Sequence, residues 1–120
     1  MSVKVVFIAH PISGNVEDNI AKILNIIRNI NIIINNVIPY APYISDCLAL
    51  NDDNKRERMR GIANSKELFK RGIIDEIWLY GECISNGMKD EIKLANELNI
   101  PIIPKSSLIS NQMVRDIING

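Results

Sequence analysis

Val3-Lys4-Val5-Val6-Phe7-Ile8-Ala9-His10-Pro11 is the stretch on which the fold turns. Its first seven residues are a short β-branched run with one charge, the pattern of a parallel strand buried on both faces. Proline after His10 ends the run in a loop and biases His10 away from helix. Beyond the loop, Val16, Ile20, Ile23, Leu24, Ile27 and Ile30 recur at helical spacing, while Glu17, Asp18, Lys22, Asn25 and Arg28 fill most of the other side. Asn15 stands where a cap belongs, with two acids in the first turn, so the spacing predicts a helix over about 15–30.

The alternation continues outward. A second strand is expected over about 32–39, then the proline-punctuated loop Tyr40-Ala41-Pro42-Tyr43 and a short helical turn from Asp46 to Leu50. Asn51-Asp52-Asp53-Asn54 interrupts the pattern. Lys55 to Lys70 resumes it with Met59, Ile62, Ala63 and Phe69 on one side, and Gly72 stops it. Glu76-Ile77-Trp78-Leu79-Tyr80 reads as a third strand, beginning near Ile74 and halted by Gly81. A helix from Ser85 or Asn86 to about Asn99 follows, then a strand at Ile100-Pro101-Ile102-Ile103-Pro104 with Pro101 at its start or on an edge. The weakly amphipathic tail from Ser107 to Ile118 is expected to pack on the sheet or on a partner subunit.

That order predicts one domain spanning 1–120, a doubly wound, flavodoxin- or Rossmann-like parallel sheet of four or five strands with α-helices on both faces. Ligands of such α/β sheets collect beyond the carboxyl ends of the strands, where the strand order reverses. Residues 9–15, 40–54 and 80–88 are therefore the loops that matter.

Composition narrows the function. Fourteen basic and fourteen acidic side chains cancel, and the single basic cluster, Lys55 to Arg60, is broken by Glu57. No footprint for nucleic acid is expected. No apolar stretch approaches the roughly 20 residues that span a bilayer, and the first nine residues lack a secretory pattern, so no membrane partner and a cytoplasmic location are expected. Cys47 and Cys83 are isolated and read as free thiols. With His10 the sole histidine, neither a metal nor another cofactor is expected.

One residue breaks the amphipathic rule. On a wheel of about 100° per residue, Met88, Glu91, Ile92, Ala95 and Leu98 share a side, with Lys89, Asp90, Lys93, Asn96 and Glu97 opposite. A carboxylate on a core face snorkels to water, caps a nearby loop amide or pairs, with Arg60 for example, or else performs acid/base or nucleophilic work. Gly87 leaves space one turn earlier. Ser85, beside the free amides of the helix start, caps the helix or joins an anion site, and Ser13-Gly14-Asn15 precedes another helix start. His10 is expected to be exposed in its loop, as a base, a phosphate contact or a plain loop residue. Asp75 is a helix-to-strand turn residue unless a kink brings it inward.

Three separated segments, Phe7 to Gly14, Asp75 to Gly81 and Ile84 to Ala95, together resemble the nucleoside 2-deoxyribosyltransferase superfamily over about residues 3–103. The likeness is closest to its small bacterial and phage branch and to deoxynucleoside 5′-monophosphate N-glycosidases. It implies that Glu91 attacks the anomeric carbon of a 2-deoxyribose; Asp75 and His10 are further catalytic candidates on their own positions in the chain. It implies substrate contacts from Ser13, Gly14, Ser85, Gly87, Met88, Tyr40, Tyr43, Arg60 and Phe7. Serine rather than aspartate at position 85 favours a monophosphate over a free nucleoside. The family commonly has a tyrosine at the place of Phe7, whose hydroxyl orients the nucleophile, and the hydrolase branch an arginine at the place of Ser13. Tyr40, Tyr43 or His10 is left to replace the hydroxyl, and Arg58 or Arg60 the charge. Dimers or larger homo-oligomers are the family habit, and the apolar tail suits such an interface. A protein that binds the nucleotide without turnover is the alternative.

Overall fold

In a computed structural model that describes residues 2–120, strands and helices alternate along the chain. β1 (Lys4–Ala9) leads through α1 (Val16–Ile33) to β2 (Val37–Tyr40). α2 (Tyr43–Ala49) and α3 (Lys55–Lys70) lead to β3 (Glu76–Leu79), α4 (Asn86–Glu97) leads to β4 (Ile102–Pro104), and α5 (Asn111–Asn119) follows. The four strands form one all-parallel sheet in the order β2-β1-β3-β4. This is the doubly wound, flavodoxin-like arrangement expected from the sequence. The chain leaves β1 on one side and returns on the other, so the order reverses between β1 and β3.

Alternation along the central strands divides the core in two. Val6, Ile8 and Trp78 point to the face covered by Ile23 and Ile30 of α1. Phe7, Ala9, Ile77 and Leu79 point to the other face, under Phe69 of α3, Met88, Ile92 and Ala95 of α4 and Val114 of α5. β1 is apolar on both sides because both are covered, which is why it reads as a run rather than an alternation. The edge strands carry the prolines, Pro39 in β2 and Pro104 in β4, where a missing N–H leaves no gap in the ladder.

Several boundaries depart from the sequence reading. The second strand begins at Val37, because α1 continues to Ile33 and the Ile34 amide still donates to the Ile30 carbonyl at 2.8 Å. Ile32 and Ile33 are 61% and 76% exposed, which a buried strand would not allow. Asn15 occupies the N-cap position of α1 without a side-chain cap bond. The inner side of α3 is also rotated from the expected one: Phe69 is buried, but Met59 and Ala63 are exposed. Leu98 lies past the end of α4, where Asn99 turns the chain with φ 58°.

The tail is a regular helix with Ser110 as its cap. Ile109, Val114, Ile117 and Ile118 pack on the same core as α4. Its inner side is therefore occupied within the chain, while Leu108 and Met113 stay 59% and 36% exposed. No described helix is long and apolar enough to cross a membrane.

Candidate functional site

A cavity of about 470 Å³ opens beyond the carboxyl ends of β1 and β3, at the reversal of strand order. Its size is ordinary for a small-molecule site. The loop after β1 contributes His10, Ile12 and Ser13. The start of α4 contributes Ser85 to Met88, with Asp90, Glu91 and Leu94 farther along. Tyr43, Asp46 and Cys47 of α2 and Arg58, Ile62, Ser65, Lys66 and Phe69 of α3 form the facing walls.

Local sequence builds each wall. Gly81 ends β3 at φ +99°, and a Cβ there would stand 2.6 Å from Pro11 Cδ, so glycine is what lets the His10-Pro11 turn pass against β3. His10 is consequently only 8% exposed, not the exposed loop residue expected. The β1–α1 loop is closed by Asn19 Nδ2, which donates to the Ile12 carbonyl at 2.9 Å. Gly14 turns that loop at φ +95° beside Ser13 but does not line the cavity. Ser85 Oγ accepts from the Met88 amide at 3.3 Å, so its capping role is real, and it lines the cavity as well. Gly87 faces open space: a Cβ there meets nothing within 4 Å.

Glu91 sits in this cavity without a hydrogen bond or an ion pair among the described residues. Met88, Ile92 and Ala95, its neighbours on the inner side of α4, are buried. Burial, and secondarily the charge of Asp90, pushes its carboxyl up to about 8. An unpartnered carboxyl on the wall of a reversal-point cavity is the chemical feature of the site.

The remaining candidates separate. Tyr43 shares the cavity, and its hydroxyl donates to the Ile8 carbonyl; burial and the charge of Glu91 hold that hydroxyl well above its ordinary range. Phe7 lies beneath, fully buried, its ring 5.5 Å from Tyr43 and 4.7 Å from Phe69. It supports the wall and does not reach the cavity. Tyr40 packs on the core at the end of β2. Asp75 is at the opposite end of the sheet: its Oδ2 accepts from the Val5 amide at 2.8 Å, and its own amide donates to the Val5 carbonyl. Arg60 turns to a separate hollow lined by Leu50, Arg56, Glu57 and Met59, and pairs with no carboxylate at Glu91. Arg58, two residues earlier on α3, is the arginine on the cavity.

Sequence reasoning missed Asp46, Ser65 and Lys66. The signal was present as a helical stripe through residues 58, 62, 65 and 69, but the apolar Met59 and Ala63 drew the inner side elsewhere. Among the described residues, Arg58 and Lys66 form no ion pair, and they supply positive charge among Asp46, Asp52, Glu57, Asp90 and Glu91. Burial, then Asp52, Asp46 and Glu91, pushes the Cys47 thiol up, which disfavours its thiolate. Cys83 is exposed. No group of three or more potential metal ligands occurs among the described residues.

A family model described as "Domain of unknown function (DUF7768)" matches residues 4–105, from the first residue of β1 to just past β4. No curated protein and no solved structure matches the chain.

Proposed function

This chain belongs to that family, and for it we propose an N-glycosidase, a hydrolase or transferase that breaks the N-glycosidic bond of a 2′-deoxynucleoside 5′-monophosphate with Glu91 as nucleophile. The observation that carries the reading is the unpartnered Glu91 carboxyl in a cavity large enough for a nucleotide. In this reading a carboxylate oxygen attacks C1′ and the base leaves with the bonding pair. The resulting glycosyl ester is resolved by water or by a second base. A cationic, oxocarbenium-like transition state offsets the cost of holding the carboxylate in apolar surroundings. The phosphate lies against Ser13, Ser85 and the free amides at the start of α4, with Arg58 and Lys66 opposite.

Chromatography of free base after incubation with a panel of nucleosides and 5′-monophosphates tests this. Base release is expected from a deoxynucleoside monophosphate, and Glu91→Gln is expected to abolish it while the variant stays folded. Turnover by Glu91→Gln, or a wild-type protein that releases base from no member of the panel, overturns the mechanism.

A nucleotide-binding protein without turnover is the second reading. It is favoured by the raised value at Glu91, which leaves about a tenth of it ionised at pH 7, and by the absence of a hydroxyl on the buried Phe7. Measurable affinity with no base release even at pH 9, where Glu91 is ionised, distinguishes it.

A further inference from the structure

A second proton-handling group shares the cavity with Glu91. His10 follows β1 directly, is 8% exposed and lines the cavity wall. Its Nδ1 lies 2.7 Å from the Pro11 carbonyl oxygen. A carbonyl only accepts, so Nδ1 carries the proton and donates it. Nε2 has no partner among the described residues, and since no buried side-chain nitrogen there is left unpartnered, it is reachable by solvent, on a side chain that lines the cavity. The ring lies beside Gly81, just past β3: a Cβ there would stand 3.6 Å from His10 Cδ2. Ala9 and Leu79 are register partners, so the imidazole leaves β1 beside the segment that runs into α4 and Glu91.

Two other groups on the walls are already engaged. Asp46 Oδ2 accepts from Asn64 Nδ2 at 3.2 Å, and the Tyr43 hydroxyl donates to the Ile8 carbonyl. An imidazole whose tautomer is set by one nitrogen, with the other bare and facing a cavity, is suited to take a proton from water.

We infer that His10 is the base that activates water against the glycosyl ester of Glu91, which makes the chain a hydrolase rather than a base transferase. The inference rests on the N-glycosidase reading. In the first step a C1′–O bond to Glu91 forms and the C1′–N bond breaks; the base keeps the electron pair and takes a proton from solvent at the cavity mouth. In the second, water attacks C1′ as its proton passes to His10 Nε2, and the ester C1′–O bond breaks to return its electron pair to the Glu91 carboxylate. The imidazolium then releases its proton to solvent.

Rapid-mixing measurements of base release by the whole chain, with His10→Gln and His10→Asn beside wild type, test this. The variants are expected to release about one equivalent of base and then to slow by about 100-fold or more. Intact-mass spectra should show a sugar-phosphate adduct that maps to Glu91. Azide, a nucleophile that has no proton to lose, should restore turnover and yield a glycosyl azide. Steady-state hydrolysis by both variants within about threefold of wild type overturns the role, as does loss of the first turnover together with no azide rescue in either variant. A wild-type protein that itself releases no base overturns the N-glycosidase reading and the role of His10 with it, and is recognised because the wild type, not the variant, is silent.

Discussion

At the scale of single residues, two glycines between β3 and the first turn of α4 carry opposite burdens. Gly81 holds φ +99° and leaves no room for a methyl group against Pro11, so Gly81→Ala should destabilise the fold by about 2 kcal/mol or more and displace His10, readable by chemical denaturation. Gly87 is helical and faces open space, so Gly87→Ala should raise stability by up to about 1 kcal/mol. The added methyl projects where a ligand approaches, and affinity for a 5′-monophosphate should fall about tenfold or more. A Gly87→Ala variant that binds as wild type does would place the ligand elsewhere. Glu91 adds a kinetic expectation. A nucleophile must be ionised, so kcat/KM should rise with pH through about 8, the value at which burial and Asp90 hold the free carboxyl. A profile falling through that pH would instead assign Glu91 as a general acid.

Among the elements, α4 does most to organise the site, and its first residues can be tested separately from its packing. Ser85 caps the helix through the Met88 amide, so Ser85→Ala should cost about 1 kcal/mol. Ser85→Asp keeps an acceptor at the cap and hence the stability, but sets a negative charge where the phosphate is proposed to lie. Its affinity for a monophosphate should fall by about tenfold or more while affinity for the free nucleoside is retained, as titration calorimetry would show. Equal losses for both ligands would remove the phosphate from that helix end. The same helix marks how far the sequence was legible. Its wheel identified Met88, Glu91, Ile92 and Ala95 as one side because helix periodicity is a local property, and the strands of the central sheet were readable because burial on both faces leaves an uninterrupted apolar run. Ile32-Ile33-Ile34 was misread since an apolar run looks the same at an exposed helix end as in a strand. His10 and Arg60 were misjudged for a tertiary reason, since only the close passage of Pro11 over Gly81 and the rotation of α3 decide where they point, whereas the turn reading of Asp75 holds, its carboxylate bonded to the Val5 amide.

Over the whole molecule, the half-buried carboxyl at the site is linked to the stability of the fold. Glu91 ionises near 4.5 when unfolded and near 8 when folded, so the native state holds its proton more tightly. That contribution is complete below about pH 4.5 and is lost as pH rises through 8. Glu76 has the opposite sign. Its hydrogen bonds from Lys4 and Trp78 lower its carboxyl below 4.5, so its contribution is present above that value and is lost as pH falls through the folded value. Acid therefore weakens an ion pair at the amino ends of the strands, whereas base charges the cavity at their carboxyl ends. The unfolding temperature of the wild type is expected to peak near pH 5 and to fall steadily toward pH 9. Glu91→Gln, which cannot ionise, should flatten that decline and be the more stable of the two at pH 9, while leaving the acid limb unchanged. Parallel curves for the two proteins across pH 5–9 would mean that Glu91 is solvated in the native state, and the site would then have no means of holding an unpaired carboxyl ready for a cationic sugar.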